Sequence, residues 1–190
     1  MEWLYKVDFA ILDWIQEYLQ CSFLDTIMPA ISFLGNKGWI WILIAIIMLF
    51  PKKTRSTGLT MGGGMLTGLL VGNGILKNLV QRERPCWIVE DFELLIDNPT
   101  DYSFPSGHAL SSFIAATVIY RYNRKWGAAA YVLASLISFS RLYLYVHFPS
   151  DILISILLGI LIGDLAAWVQ QTISQKWRAR KDTKRAEEAD

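Results

Sequence analysis

Residues 101–120 read DYSFPSGHALSSFIAATVIY, a polar, hydroxyl-rich segment that leads directly into an uncharged apolar run. One of the two histidines of the chain, His108, lies at this junction. The run is one of several of this kind in a chain of 190 residues, of which 53% are hydrophobic. Uncharged runs of about 20 residues are typical of membrane spans and rare in soluble domains. The sequence therefore predicts a protein whose main solvent is the lipid bilayer.

Six apolar segments of the chain are long enough, or nearly long enough, to cross a bilayer. They cover residues 22–34, 39–50, 57–80, 106–122, 126–146 and 150–173. Residues 4–20 alternate apolar and polar side chains at helical spacing. This pattern predicts an amphipathic helix on the membrane surface or, as an open alternative, on the protein's own flank. The predicted fold class is an all-α polytopic membrane protein, with six transmembrane helices that follow an N-terminal amphipathic helix.

The distribution of lysine and arginine predicts the orientation of these spans, because cytoplasmic loops are enriched in both residues. Basic residues concentrate at 52–55, at 121–125 and in the segment 176–190. An even number of spans puts all three on the cytoplasmic side of the plasma membrane, so we expect both termini inside and the loop 82–104 outside. Residues 1–175 form one predicted membrane-embedded domain, and the charged cytoplasmic tail 176–190 is expected to fray.

Three cations lie near the outer ends of the predicted spans. Arg84 follows Lys77 by almost two helical turns. On one continuous helix this spacing would place both side chains on one face, about 10 Å apart. Arg141 lies near the outer end of the fifth span. A single cation at this depth often reaches toward lipid head groups, whereas three that converge from separate helices indicate a function. Phosphate suits such a cluster, since arginine binds its oxygens bidentately and lysine adds a point charge.

The segment Pro105-Ser106-Gly107-His108 adds further groups that favour an anion. Ser106 is a suitable N-cap for the fourth span, and Gly107 allows close approach of the backbone. The free N–H groups at the start of that helix would point at a bound phosphoryl group. The hydroxyl-rich junction therefore predicts a phosphate site.

The two histidines suggest a covalent mechanism. Pro149 cannot continue a helix after His147, so the chain turns there and can bring the carboxylate of Asp151 against one ring nitrogen. That contact would fix the tautomer and make the other nitrogen more nucleophilic. In this hypothesis His147 attacks phosphorus, while His108 protonates the departing oxygen and then deprotonates the water that releases phosphate. Each histidine alone could instead be an interfacial residue with a satisfied hydrogen bond.

Three motifs together resemble the signature of the type 2 phosphatidic acid phosphatase superfamily, which includes membrane lipid phosphatases and, more distantly, vanadium haloperoxidases. The motifs are Lys77-x6-Arg84-Pro85, Pro105-Ser106-Gly107-His108 and Ser140-Arg141-x5-His147-x3-Asp151. The resemblance implies a phosphohistidine mechanism that uses neither a metal nor a cofactor. It implies catalytic roles for His147, His108 and Asp151. It implies phosphate-binding roles for Lys77, Arg84, Ser106, Gly107 and Arg141.

The sequence therefore predicts an integral membrane phosphatase with its site at the outer face. Candidate substrates are phosphatidic acid, phosphatidylglycerol phosphate and polyprenyl pyrophosphate. We expect membrane lipids as its surroundings and no nucleic acid partner, and no oligomeric state is indicated. A lipid-linked phosphotransferase would use the same residues, whereas a non-catalytic anion transporter or lipid-binding protein would need only the cations. The acidic segment 90–97 is expected over the outer rim, where it would repel soluble anions.

Overall fold

The structure, a computed structural model, describes residues 2–89 and 92–187 of the chain. Every regular element within these two ranges is helical, which confirms the predicted all-α fold class. In chain order the α-helices of the described ranges are α1 (Glu2–Leu19), α2 (Ser22–Gly35), α3 (Trp39–Leu49), α4 (Arg55–Gly68), α5 (Lys77–Val80), α6 (Pro85–Ile88), α7 (Gly107–Tyr122), α8 (Arg124–Tyr143) and α9 (Pro149–Glu187). A short 3-10 turn, Asn36–Gly38, joins α2 to α3, and a π-helical segment, Leu69–Leu76, joins α4 to α5.

The central helix of the bundle is α7, whose side chains are buried almost without interruption from Ala109 to Ile119. Apolar and small residues cover every side of this run, and a helix that is apolar all round is normally buried. α7 packs against α8, α9 and α4. The main hydrophobic core lies between these helices and includes Trp41, Met61, Phe113, Ala134 and Ile137.

Close packing of α9 on α7 depends on two glycines of α9. A Cβ atom at Gly159 would lie 2.8 Å from the Cβ of Phe113, and one at Gly163 would lie 2.8 Å from the Cβ of Thr117. Both positions therefore need a residue without a side chain. Small residues let helices approach closely where lipid is the solvent. This packing fixes α9 against α7 and brings Asp151, in the first turn of α9, to the end of the bundle where α7 begins.

Three stretches of the described chain are long and apolar enough to cross a membrane, namely Ser22–Leu49, Arg55–Ile88 and Pro149–Lys181. α7 and α8, of 16 and 20 residues, pack among them. The first of these stretches contains both α2 and α3. Six separate transmembrane helices are therefore not confirmed: the first stretch merges two predicted spans, and α7 and α8 are not among the three stretches.

These two spans, now α2 and α3, form one path through the bundle rather than a helical hairpin. Gly35, at the end of α2, lies against the ring of His108 in the first turn of α7. Trp41 in α3 donates a 2.8 Å hydrogen bond from its indole N–H to Ser112, one turn farther along α7. α2 and α3 therefore follow one another in the same direction, and the prediction of two separate spans is wrong.

The turn between α2 and α3 explains this difference. Lys37 has a φ of 52° and Gly38 a φ of 68°, both in the left-handed region. Two consecutive residues in this region interrupt the helical hydrogen bonds. Trp39 then resumes a right-handed helical conformation. In the sequence, a Gly-Asn-Lys-Gly segment between two apolar runs looks like a reversal, because composition alone does not distinguish a bend from a hairpin.

α1 lies across the end of the bundle at which α7 and α9 begin. Its buried residues are Asp8, Leu12 and Ile15, and they contact the end of α8, the loop 144–148 and the start of α9. Its outer face is apolar and exposed, and includes Trp3, Val7, Ile11, Trp14 and Tyr18. The described contacts therefore show a helix packed on the protein, as in the second of the two alternatives. Contact of its outer face with lipid stays a prediction.

α9 continues as one helix from Pro149 to Glu187, beyond residue 173, where the sixth predicted span ends. It thus includes much of the tail that was expected to fray, since lysine, arginine, alanine and glutamate all favour helix. Residues 188–190 of the tail lie outside the described residues. The same holds for Glu90 and Asp91 of the predicted acidic rim.

Candidate active site

A pocket of about 1450 Å³ opens at the end of the bundle where α7 and α9 begin. Six of the eight predicted site residues line it, namely Lys77, Arg84, Gly107, His108, Arg141 and His147. The other two, Ser106 and Asp151, are fully buried next to these residues. Motifs that are far apart in the sequence therefore meet at one place.

Lys77 and Arg84 meet there without sharing a helix. α5 ends at Val80, and Gln81 adopts a left-handed φ of 48°. Arg84 is extended and caps the start of α6. The predicted placement of both cations on one helical face is therefore wrong. They converge because both bind the carboxylate of Asp101: Lys77 binds its Oδ2, and Arg84 Nη2 binds its Oδ1 at 2.6 Å.

Asp101 occupies the position that the sequence assigns to phosphate. Partial burial by itself would raise the pKa of this carboxyl, but the hydrogen bonds and charges of Lys77 and Arg84 outweigh that effect. They lower the pKa of Asp101 from 3.8 to about 2. Asp101 is therefore ionised at neutral pH, and its two oxygens bind the cations much as two phosphoryl oxygens would.

The two ring nitrogens of His147, a residue that is 1% exposed, have different partners. Nε2 lies 3.2 Å from Nη1 of Arg84, on the side of the cations, and Nδ1 lies 3.3 Å from the hydroxyl of Ser103. Arginine can only donate, so Nε2 accepts and the proton belongs on Nδ1. Burial, followed by the positive charge of Arg84, lowers the pKa of His147 well below its ordinary value. His147 is therefore a neutral imidazole with its lone pair on Nε2, where it accepts from Arg84.

Ser103 mediates the contact that was predicted between Asp151 and His147. Oδ2 of Asp151 lies 3.9 Å from Nδ1 of His147, which is too far for a hydrogen bond. The hydroxyl of Ser103 donates to this Oδ2, and its oxygen can accept the Nδ1 proton of His147. The backbone N–H of Phe148 also donates to Oδ2, at 3.1 Å. The carboxylate thus orients the imidazole through a serine, and the predicted direct contact is not formed.

His108 and Arg141 are held by α2 and by the turn that follows it. Nε2 of His108 lies 2.9 Å from Oδ1 of Asn36, and Nη1 of Arg141 donates to the hydroxyl of Ser32. Nε of Arg141 is buried and has no hydrogen-bond partner among the described residues. A buried donor without a partner is costly, so a phosphoryl oxygen in the pocket would be a favourable ligand for this guanidinium.

Gly107 lies in the pocket as predicted, but Ser106 does not make the predicted capping bond. Ser106 stands at the N-cap position of α7, but its hydroxyl makes no capping bond and is buried without a partner in the described structure. Its backbone N–H donates instead to the hydroxyl of Ser155 in α9, at 2.8 Å. Gly107 lines the pocket, where an added Cβ would lie 3.6 Å from Oδ1 of Asn73. The predicted capping bond of Ser106 is therefore wrong.

Sequence reasoning did not identify four residues that hold the site together: Asp8, Asn36, Arg82 and Ser103. Arg82 lies within the first motif, and Ser103 lies just before the second. Their closeness in sequence to motif residues could have indicated a place in the site. Asp8 and Asn36 gave no such signal, because they lie 74 and 72 residues from the partners that they contact.

Among the described residues that line the pocket, Lys77, Arg84 and Arg141 bring positive charge to the site. No group of three or more His, Cys, Asp or Glu residues in the part of the chain that the structure describes could hold a metal ion. Two histidines that face three cations, at the end of a bundle with apolar helices, define a class: helical membrane proteins that handle phosphoryl groups.

The chain belongs to the PAP2 superfamily, whose family model matches residues 57–175. This confirms the resemblance drawn from the three motifs. The chain is 33% identical over 156 residues to an undecaprenyl-diphosphatase of Sulfolobus acidocaldarius, covering 82% of this chain and 75% of that protein. It is 31% identical over 171 residues to phosphatidylglycerophosphatase B of Bacillus subtilis, covering 80% and 78%.

Two solved structures share both the fold and part of the sequence. The transmembrane PAP2-type phosphatidylglycerolphosphate phosphatase of Bacillus subtilis superimposes with a TM-score of 0.74 at 28% identity, over 91% of this chain and 89% of that one. LpxE of Aquifex aeolicus superimposes with a TM-score of 0.68 at 27% identity, over 84% and 94%. These relatives indicate that the chain is a phosphatase.

Proposed function

We propose that the chain is an integral membrane phosphatase that hydrolyses lipid phosphate or pyrophosphate through a phosphohistidine on His147. The observation that supports this most strongly is the pair of contacts on the His147 ring. Ser103 and Asp151 hold the proton on Nδ1, and the unprotonated Nε2 lies on the side of the cations, next to Arg84. This is the arrangement that an imidazole nucleophile needs.

In the proposed reaction, phosphoryl oxygens displace Asp101 from Lys77 and Arg84, and Arg141 adds a third cation. Nε2 of His147 attacks phosphorus as the bond to the leaving oxygen breaks, and that oxygen takes the electron pair and a proton from His108. His108 then removes a proton from water, which attacks the phosphohistidine. Inorganic phosphate leaves and the His147 lone pair is restored. The cations stabilise negative charge that develops on the phosphoryl oxygens.

A long apolar chain fits the rest of the pocket. From the cations the pocket continues between α3 and α4, where its apolar lining includes Ile42, Ile46, Leu59, Leu66 and Leu69. A Cβ at Gly62 or Gly63 would meet no atom within 4 Å, so this wall is open. From Gly58 to Lys77 a helix rises about 28 Å, close to the hydrocarbon thickness of a bilayer. A single groove of this length favours polyprenyl pyrophosphate, with phosphatidic acid and phosphatidylglycerol phosphate as further candidates.

The path of α2 and α3 also changes the proposed topology. We count five crossings, namely α2 with α3, α4 with α5, α7, α8 and α9. The basic segments 52–55 and 121–125 and the basic end of α9 then remain together at the end away from the site, which is cytoplasmic by their charge. α1 and the site lie at the outer face of the plasma membrane. Five crossings place the N-terminus outside. The six spans expected from the sequence had placed it inside.

The experiment that tests this function is phosphate release by purified protein in one detergent, with excess chelator present. The substrates are a polyprenyl pyrophosphate, a short-chain phosphatidic acid and glucose 6-phosphate. We expect turnover of the two lipids, poor turnover of the sugar phosphate, and loss of several orders of magnitude in kcat for His147→Ala. Binding without turnover in the wild-type protein would support a non-catalytic anion-binding role, and transfer to an added alcohol in place of water would support a phosphotransferase.

A matched pair of variants tests the groove. Gly63→Leu adds an apolar side chain to its open wall, whereas Gly74→Leu makes the same change later in the same path, outside the pocket lining. We expect Gly63→Leu to raise KM for the polyprenyl substrate and to leave KM for an aryl phosphate unchanged. Equal effects of the two variants would contradict the proposed groove.

A further inference from the structure

A buried ion network joins α1 to the carboxylate that orients His147. It contains Asp8 of α1, Arg82 of the loop after α5, and Ser150 and Asp151 of α9. Asp8 is 2% exposed and Asp151 is fully buried. None of the catalytic or phosphate-binding roles assigned above includes Asp8 or Arg82, and Asp8 lies outside the residues 57–175 that match the family.

The guanidinium of Arg82 is shared between two carboxylates. Nη1 donates to Oδ1 of Asp151 at 2.6 Å, and Nη2 donates to Oδ2 of Asp8 at 2.7 Å. The ring centroids of Phe148 and Tyr5 lie 4.0 Å and 4.8 Å from its central carbon, so the guanidinium lies against two aromatic rings that meet edge to face. Planar, delocalised and always charged, arginine suits this geometry. Arg82 therefore fixes the oxygen of Asp151 that Ser103 does not bind.

Asp8 ties the same network to the start of α9. Its Oδ1 accepts the backbone N–H of Ser150 at 2.9 Å, and its Oδ2 accepts the Ser150 hydroxyl at 2.6 Å. Ser150 directly precedes Asp151, so Asp8 holds both the guanidinium and the backbone next to the carboxylate of Asp151. The carboxylate also lies at a helix N-terminus, where negative charge is favourable.

The charges of the network suit the proposed reaction. Two carboxylates and one guanidinium leave one negative charge in excess on the Nδ1 side of His147. When Nε2 bonds to phosphorus, the imidazole ring gains positive charge, and a fixed negative charge nearby stabilises it. Replacing Asp8 by a neutral residue would make this network neutral. It would also free one half of Arg82 and loosen Asp151.

We propose that Asp8 is a positioning residue for catalysis, which acts through Arg82 to fix Asp151 and so makes α1 part of the active site. This rests on the proposed phosphohistidine reaction. The consequence is specific: loss of Asp8 should lower the rate of the chemical step and leave phosphate binding intact, because Lys77, Arg84 and Arg141 are not part of the network.

The first test compares Asp8→Asn with Asp13→Asn in the full-length protein. Asp13 lies on the same helix and accepts a 3.0 Å hydrogen bond from Tyr145, whereas the side chain of Arg82 donates to Asp8, Ser150 and Asp151. We expect Asp8→Asn to lower kcat at least about tenfold with KM within about twofold, since small errors in the position of a catalytic group are costly. Asp13→Asn should retain the wild-type kcat. A wild-type kcat in Asp8→Asn, or an equal loss in both variants, would overturn the proposal.

The second test is chemical rescue, which a purely structural role would not allow. Arg82→Ala leaves a space beside Tyr5 and Phe148, bordered by Asp8 and Asp151. Guanidinium chloride at millimolar concentration should raise kcat of the folded Arg82→Ala protein at least about fivefold over sodium chloride at equal ionic strength. It should not raise kcat of the wild type. Absence of rescue in protein that elutes as the wild type does would overturn the proposal, and if this variant does not fold, the Asp8 comparison decides.

The two proposals fail in different ways. If the wild-type protein releases no phosphate, or if His147→Ala retains turnover, the proposed function fails. If the wild type is active and His147→Ala is not, yet Asp8→Asn equals the wild type, then only the role of Asp8 fails.

Discussion

Asp101 gives the sharpest test of how the pocket selects an anion. Its carboxylate binds Lys77 and Arg84, the same cations that the proposed reaction assigns to phosphate. In the proposed reaction a substrate must therefore displace Asp101 before it can bind. Replacing Asp101 by asparagine removes the negative charge and keeps the size of the side chain, so it should weaken this competition and strengthen phosphate binding.

The size of the effect follows from the charge interactions of Asp101. The lowering of its pKa from 3.8 to about 2 corresponds to roughly 2 kcal/mol. The side chain is 52% exposed, so solvent screening reduces the useful part to about 1 kcal/mol. That energy equals about a fivefold change in an equilibrium constant. We expect Asp101→Asn to bind inorganic phosphate or vanadate about fivefold more tightly than the wild type.

The assay is the inhibition constant of vanadate against an aryl phosphate substrate, measured in one detergent. Asp97→Asn is a suitable control, because Asp97 also lines the pocket and forms no ion pair within the described residues. Its inhibition constant should change much less than that of Asp101→Asn, because Asp97 binds neither Lys77 nor Arg84. An unchanged or weaker inhibition constant for Asp101→Asn would refute the reasoning.

The same substitution has the opposite effect on stability. The pKa of Asp101 is lower in the folded protein, so the stabilisation is present above about pH 4 and is lost as the pH falls toward 2. At pH 7 the unfolding temperature of Asp101→Asn should therefore lie below that of the wild type. The difference should shrink steadily between pH 4 and pH 2, as thermal unfolding in detergent would show. A difference that is independent of pH would contradict the ion pairs.

Three further predictions concern separate parts of the account. Ser103→Ala should lower kcat at least about tenfold at nearly constant KM, since His147 loses the link to its carboxylate; a wild-type kcat would contradict the relay. His108→Ala should slow a lipid phosphate far more than an activated aryl phosphate, which needs little protonation of its leaving group; equal slowing would remove the acid role. In a background without Cys21 and Cys86, a cysteine at residue 98 should react with an impermeant thiol reagent in intact cells and one at residue 123 should not; the reverse pattern would place the site inside.

The site could be predicted from the sequence wherever its chemistry is carried by local motifs. His108, Arg141 and His147 lie together as predicted, because each stands at the end of a helix that the apolar pattern reveals. The turn at Pro149 does bring Asp151 to the same end of the bundle. The serine hydroxyl between Asp151 and His147 was not predictable. It depends on the 3.9 Å distance between Oδ2 of Asp151 and Nδ1 of His147, which is too long for a direct hydrogen bond.

Contacts between distant segments account for most of what the sequence did not reveal. Asp101 was visible only as one of several acidic residues in a loop, and nothing local shows that its carboxylate reaches Lys77. Arg82 was visible only as a cation near the membrane surface. Its partner Asp8 belongs to an amphipathic helix whose polar face turns toward the protein, whereas amphipathic periodicity alone fits either a lipid surface or a protein surface.

The number of crossings depends on two φ angles. Lys37 and Gly38 adopt left-handed conformations and bend the chain between α2 and α3 without reversing it. Apolar composition is the same for a bend and for a hairpin, so the sequence could not decide between them. The structure does so because α2 and α3 contact successive turns of α7.

The most direct test of the central claim is to trap the phosphoenzyme. Protein mixed with a lipid phosphate labelled with radioactive phosphorus, and quenched within milliseconds to seconds, should carry label that is stable to base and labile to acid, as phosphohistidine is. The label should map to the peptide that contains His147 and should be absent from His147→Ala. It should accumulate in His108→Ala with an activated substrate, because the water that releases phosphate then lacks its base. Turnover by the wild type with no label on His147 under any quench, or label on another residue, would contradict the proposed mechanism.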